Sequence, residues 1–263
     1  MNVVVVDAAG AGRSDRSADA DGVADDAAAA DVDVVDTVTG RDALTAAVDA
    51  NEAGENGSAP GVDAFVAVGP AALRTCALAD PDRPVVPVGV GADHHAAPRR
   101  RVTGALTAVR DGDARLRSRP LLSLTVGGDR VGRAVLDATL MTDRPAKISE
   151  YRVAADGEPL TAVRADGVVV ATPLGSGTYA RANGGPMVAH GGGLSVVPVA
   201  PFATRSTPWV GPGPVTVTVE RDETAVALFA DHERVAVVGV GDSVTISPTG
   251  TLSTYHVPDA VGD

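Results

Sequence analysis

Residues 171–186 read ATPLGSGTYARANGGP, in a chain whose residues are only 3% aromatic. The stretch is too glycine-dense for a helix interior. It follows an apolar run at residues 168–171 and precedes a short helix expected through residues 179–183. Exposed backbone N–H groups at a helix start attract anions and polar ligands. Gly175 and Gly177 lack side chains that would block a close approach, and Tyr179 adds an aromatic face and a hydroxyl. A nucleotide uses all three features. A tight strand-to-helix turn with Tyr179 packed for shape accounts for the same residues, and on spacing alone it comes first.

Other reactive residue types point nowhere as definite. Cys76, the sole cysteine, lies in LRTCALA and reads as a small buried helix residue. His94-His95 are adjacent, so they point apart, and an exposed polar turn accounts for them better than a metal site. No metal site is expected. Gly175-Ser176-Gly177 is not a nucleophile elbow, and neither a Walker loop nor His-Glu-x-x-His occurs. The stretch from Asp7 to Arg13, DAAGAGR, has a faint likeness to a dinucleotide loop but lacks its third glycine.

Two periodicities position these residues. Apolar runs at 3–6, 32–35, 63–68 and 85–88 alternate with stretches expected to be helical at 42–49 and from Gly69-Pro70 to Leu78. Residues 14–31 read as an exposed segment or poor helix, and 51–61 as a loop. Strands alternating with helices predict a parallel α/β layer. Beyond a boundary near residues 96–104 the pattern becomes all-β. Strands are expected at 121–126, 134–141, 150–154, 160–164, 168–171, 194–199, 215–219, 225–229, 235–240 and 243–247. Turns fall at Gly127-Gly128-Asp129-Arg130 and Asp156-Gly157. The helix through 179–183 is the one expected in this half. The reading is α/β plus all-β, with domains over residues 1–98 and 99–263.

The formal net charge is -12, and Lys147 is the sole lysine among the basic residues. So acidic a chain is a poor generic binder of nucleic acid or anionic membranes. Arg99, Arg100 and Arg101 form the one basic run and read as a solvated turn. The carboxylate density resembles that of salt-loving archaea, a statement about habitat. No stretch is long and apolar enough to span a bilayer, and MNVVVVDAAG reads as a strand without a signal peptide's charged start, so a cytoplasmic protein is expected.

Three segments stand in order: ADGVVVATPLGSGTYARANGGPMV at 165–188, LSVVPVAPFATRSTPWV at 194–210 and FADHERVAVVGVGDSVTIS at 229–247. Through them, residues 63–254 resemble the NAD kinases, which transfer a phosphoryl group from ATP or polyphosphate to the 2′-hydroxyl of NAD. The chain is identified as a divergent, haloarchaeal-type member. The resemblance implies a Rossmann-like N-terminal α/β domain and a C-terminal β-sandwich. It implies NAD or NADP as ligand, leaves ATP and Mg open, and implies a homodimer or homotetramer.

The departures bear on activity. The family's Gly-Gly-Asp-Gly-Thr loop, whose Asp deprotonates or orients the 2′-hydroxyl, is here Val68-Gly69-Pro70-Ala71-Ala72. Gly69 is a remnant of the phosphate loop. Pro70, at the Asp position, has neither a carboxylate nor an N–H. The family's Asn-Asp/Glu pair becomes Leu136-Asp137, which leaves Asp137 for a ribose contact, or as an exposed strand Asp. In the dinucleotide segment Gly175, Ser176 and Tyr179 follow the family, while Gly177-Thr178 replaces its Thr-Ala. Asp166 resembles a carboxylate that reaches a neighbouring subunit's ligand. Asp231 keeps half of an Asp-Gly pair whose glycine is His232. These residues favour a degenerate homologue that binds NAD(P) or another nucleotide. An active divergent NAD kinase and a non-catalytic regulatory or structural homologue are the alternatives.

Overall fold

The computed structural model describes residues 1–7, 17–53, 61–91, 95–144, 147–203, 207–222 and 224–257. The glycines after Asp7, His94 and positions 54–60 of the expected loop lie outside them. The chain forms two compact units: Met1–Ser118 with the chain from Leu252 onward, and Arg119–Thr251.

The first unit runs β1 (Asn2–Asp7), α1 (Ser17–Ala29), β2 (Asp33–Thr39), α2 (Arg41–Ala53), β3 (Ala64–Val68), α3 (Gly69–Ala79), β4 (Val85–Val88) and α4 (Val102–Asp111). Its strands are parallel in the order β2-β1-β3-β4. The apolar runs of β1, β3 and β4 are buried, as strands covered on both faces must be. The edge strand β2 is largely exposed and carries Asp33 and Asp36, charges that discourage edge-to-edge pairing. Val23 and Ala27 of α1 join Val102, Leu106 and Val109 of α4 over Val3, Val5, Val66 and Val68. α2 packs on α3, which lies against β1, β3 and β4.

α4 corrects the expectation of a single helix after residue 100. Its buried Val102, Ala105, Leu106 and Val109 have the i, i+3, i+4, i+7 spacing of an amphipathic helix. The preceding Arg99–Arg101 run, a 3-10 turn, obscured that spacing. Gly112 ends α4 at φ 82, its N–H donated to the carbonyls of Ala108 and Val109. Gly112→Ala should cost about 1 kcal/mol, the usual left-handed penalty for a Cβ. Thermal melts should show a fall of about 2–4 °C. An unchanged melting temperature would mean that this cap is not fixed.

The second unit is a sandwich of two sheets. One has the order β12 (Trp209–Gly211), β11 (Leu194–Val199), β10 (Gly167–Ala171), β7 (Asp137–Thr142), β14 (Val226–Ala230), β15 (Glu233–Val238). The other has β16 (Ser243–His256, in this unit as far as Thr251), β13 (Val215–Arg221), β8 (Ser149–Ala155) and β9 (Glu158–Ala165), with β5 (Arg115–Val126, in this unit from Arg119) beside β16 and β6 (Asp129–Ala134) beside β5. Leu140, Val168, Val170, Val196 and Leu228 from the first sheet meet Leu122, Leu124, Tyr151, Val153, Val217 and Ile246 from the second. β13 buries Val215, Val217 and Val219 in alternation, as VTVTVE predicts. Asp156 and Gly157, both at positive φ, make the β8–β9 turn. The expected strand 134–141 is two strands, β6 and β7, broken at Val135-Leu136. The α/β and β-sandwich readings both hold.

Candidate functional site

The break between β6 and β7 is the centre of the candidate site in the second unit. Residues 135–137 aim three successive N–H groups at one carboxylate. Asp231 Oδ1 accepts from Val135 (3.1 Å), Leu136 (2.7 Å) and Asp137 (3.2 Å), and Oδ2 also accepts from Val135 (3.3 Å). The Asp231 N–H returns a bond to the Asp137 carbonyl at 2.7 Å. Asp231 follows β14 at φ 57.

The carbonyls of the same break face the other way and hold the glycine-rich turn. The Thr172 N–H donates to Leu136 O and its hydroxyl to Val135 O, both at 2.8 Å. The Thr172 hydroxyl then accepts the Gly175 N–H, and its carbonyl accepts the Ser176 N–H. A Cβ on Gly175 would overlap the Leu136 carbonyl. Close packing of two backbones thus gives Gly175 a reason that is independent of any ligand. The Ser176 hydroxyl, fully buried, donates to Pro173 O at 2.7 Å and accepts from Val188 N–H at 2.9 Å. Thr178 donates its hydroxyl to Gly175 O.

These bonds correct the picture of an open helix start. The N–H groups of Gly175, Ser176 and Thr178 are bonded inside the turn. α5 (Tyr179–Ala182) is a single turn, too short for a useful dipole. Gly177 and Thr178 are half-buried, and Tyr179 is 40% exposed.

Asp137 pairs with Ala171 across β7 and β10 and is only 4% exposed, so it is no exposed strand residue. Its Oδ1 accepts the Thr139 hydroxyl at 3.0 Å. Burial, then the neighbouring Asp231 charge, push its pKa from 3.8 up to about 7, against the Thr139 bond. Asp166 lies at the other end of β10, before Gly167, which pairs with Met141. Its carbonyl accepts from Thr142 and Tyr151. The chain therefore does not bring Asp166 to the Asp137 break.

The first unit holds the other predicted stretch. α3 begins at Gly69, φ 84, with Pro70 exposed in its first turn. That turn carries no acidic residue, and Val68 provides no side-chain cap. Cys76 is buried, which pushes its thiol up to about 12 and leaves it inert. His95 is buried, not in an exposed turn. Among the described residues no group of three or more His, Cys, Asp or Glu could hold a metal ion, and no helix is long and apolar enough to cross a membrane.

Sequence reasoning gave Asp231 no role beyond half of a pair and did not single out Thr139. Asp231 meets residues 135–137 from almost a hundred positions away, and local spacing carries no signal of that.

The family described as ATP-NAD kinase C-terminal domain matches residues 137–254. The chain is 32% identical over 150 residues to the NAD kinase of Thermoplasma acidophilum, covering 56% of this chain and 55% of that protein. It is 34% identical over 156 residues to the NAD kinase of Methanopyrus kandleri, covering 59% and 53%. The matches span about half the length of these relatives. The fold is similar to yeast NADH kinase complexed with NADH, with TM-score 0.70 and 16% identity over 99% of this chain and 84% of that one. It is also similar to an NAD kinase from Archaeoglobus fulgidus in complex with ATP, with TM-score 0.65 and 18% identity over 97% and 94%.

Proposed function

The chain belongs to the NAD kinase family, and from that premise we propose that it binds a pyridine dinucleotide while transferring phosphoryl groups poorly or not at all. The observation that carries this reading is a coherent site in the second unit together with the absence of any acid from the first turn of α3. The glycine-rich turn is bonded to the carbonyls of Val135 and Leu136, the two residues before Asp137, and Tyr179 is exposed at the turn's end. Gly69-Pro70-Ala71-Ala72, in contrast, offers no carboxylate to take a proton from a hydroxyl. Losing a general base costs about 10²–10⁴ in rate. NADH and ATP, bound by the yeast and Archaeoglobus proteins, are the ligands to try.

A second reading has one observation in its favour. A carboxylate with a pKa of about 7 is suited to general-base work, so Asp137 is the group an active divergent kinase would use.

Titration calorimetry of NAD, NADH, NADP and ATP in molar KCl, with a coupled NADP assay on the same sample, separates the two. Saturable dinucleotide binding without NADP formation is expected. Tyr179→Ala should weaken that binding by about tenfold, the value of one stacked or hydrogen-bonded aromatic. Turnover at an ordinary kinase rate, about 1–100 s⁻¹, would overturn the proposal in favour of the second reading.

A further inference from the structure

Asp231 occupies a hairpin corner at φ 57. That backbone angle asks only for Gly, Asn or Asp. Its carboxylate does more than the angle requires. It fills a nest formed by the N–H groups of Val135, Leu136 and Asp137, an arrangement that suits an anion. The Asp231 N–H holds the Asp137 carbonyl in return. The carbonyls of Val135 and Leu136, fixed by the same nest, carry Thr172, and Thr172 carries Gly175 and Ser176.

We propose that Asp231 is the positioning residue of the dinucleotide site. Its carboxylate locks residues 135–137, and through them it sets both the Asp137 side chain and the turn that ends in Tyr179. The inference rests on the reading of this site as a nucleotide site. It adds that the site's shape is held by an internal anion bonded to backbone N–H groups.

The charged groups around Asp137 single out Asp231 as the partner. On β10 Ala171 faces Asp137, and residues 172–178 carry no acid or base. β14 carries none either, and its following corner supplies Asp231 with His232 beyond it. On β6, Arg133 reaches toward Gly250. Asp231 is the charge that raises the proton affinity of Asp137 beyond what burial does.

Two variants of the full chain test this. Asp231→Gly keeps the backbone angle and removes the carboxylate. Asp231→Asn keeps an acceptor oxygen and removes the charge. Amide hydrogen exchange of residues 135–137, Thr172 and Gly175, and NADH affinity against pH, are the readouts. In Asp231→Gly these amides should exchange about tenfold faster or more, while those of Val196 and Val197 in β11 keep wild-type protection. NADH affinity should fall about tenfold, the effect of losing one well-placed contact. In Asp231→Asn the amides should stay largely protected, and the pH midpoint of NADH binding should fall below its wild-type value, because the neighbouring charge that adds to the effect of burial on Asp137 is gone. Wild-type exchange at Thr172 and Gly175 in Asp231→Gly would overturn the proposal. So would an unmoved pH midpoint in Asp231→Asn, which decides the matter if Asp231→Gly does not fold. A wild-type protein that binds no dinucleotide would sink the functional reading, and the exchange rates would still decide the role of Asp231.

Discussion

Gly175→Ala is expected to destabilise the β-sandwich unit by about 3 kcal/mol, the upper end of ordinary overpacking. The new Cβ would meet the carbonyl carbon and oxygen of Leu136, which are backbone atoms, not the tip of a flexible side chain. That carbonyl is held by the Thr172 N–H, and the peptide on its other side is held by Asp231. Neither can give way without breaking buried hydrogen bonds, each of which costs about 1 kcal/mol or more when left unmade. Urea unfolding followed by the fluorescence of Trp209, the only tryptophan, reports on this unit. Gly184→Ala is the matched control. Its φ is 83 and nothing lies within 4 Å of its added Cβ, so it should show only the left-handed penalty of about 1 kcal/mol. Equal losses for the two variants would refute the close approach of residues 136 and 175. On the proposed function, the displaced turn should also weaken dinucleotide binding in Gly175→Ala, since the same turn leads into Tyr179.

The second large effect is a dependence of stability on pH. Asp137 has a folded pKa of about 7 against an ordinary 3.8. Between those values the folded chain holds a proton that the unfolded chain has released. The unfolded state then binds fewer protons, so stability falls as pH rises. The contribution is fully present below about pH 4, declines through the window, and is gone above about pH 7. At about 1.4 kcal/mol per unit, the total is on the order of 4 kcal/mol. Asp137→Asn keeps the shape and an acceptor for the Thr139 hydroxyl and removes the titration. The variant should match the wild type near pH 4 and exceed it in stability near pH 8. Urea midpoints for both proteins across that range check this. Parallel profiles would mean that Asp137 is charged and solvated throughout, contrary to its burial.

The site was only half legible in the sequence, for reasons particular residues show. That the first turn of α3 carries no acid needs no tertiary information, because it contains only what residues 69–72 put there. Ser176 and Thr178 stand in the segment that resembles a dinucleotide-binding one, and their hydroxyls hydrogen-bond to Pro173 and Gly175 in their own turn. Side-chain type shows what a group can bond to, and only the folded turn shows which partner is nearest. Asp137 could be named as the surviving carboxylate, but its burial depends on β10 and β14 flanking β7.

By itself the sequence determined the alternation of buried runs that makes a parallel layer and then an all-β half, the Asp156-Gly157 hairpin and the place of the glycine-rich turn. These features follow from side-chain periodicity and backbone preference within a few residues. Tertiary structure alone decided that Gly175 makes room for Leu136, that Asp137 is buried at a pKa near neutrality, and that Asp231 fills the nest of residues 135–137. Each of these needs strand register to bring together residues from about forty to a hundred positions apart. Burial and charge proximity, which set the chemistry, exist only once that register is formed.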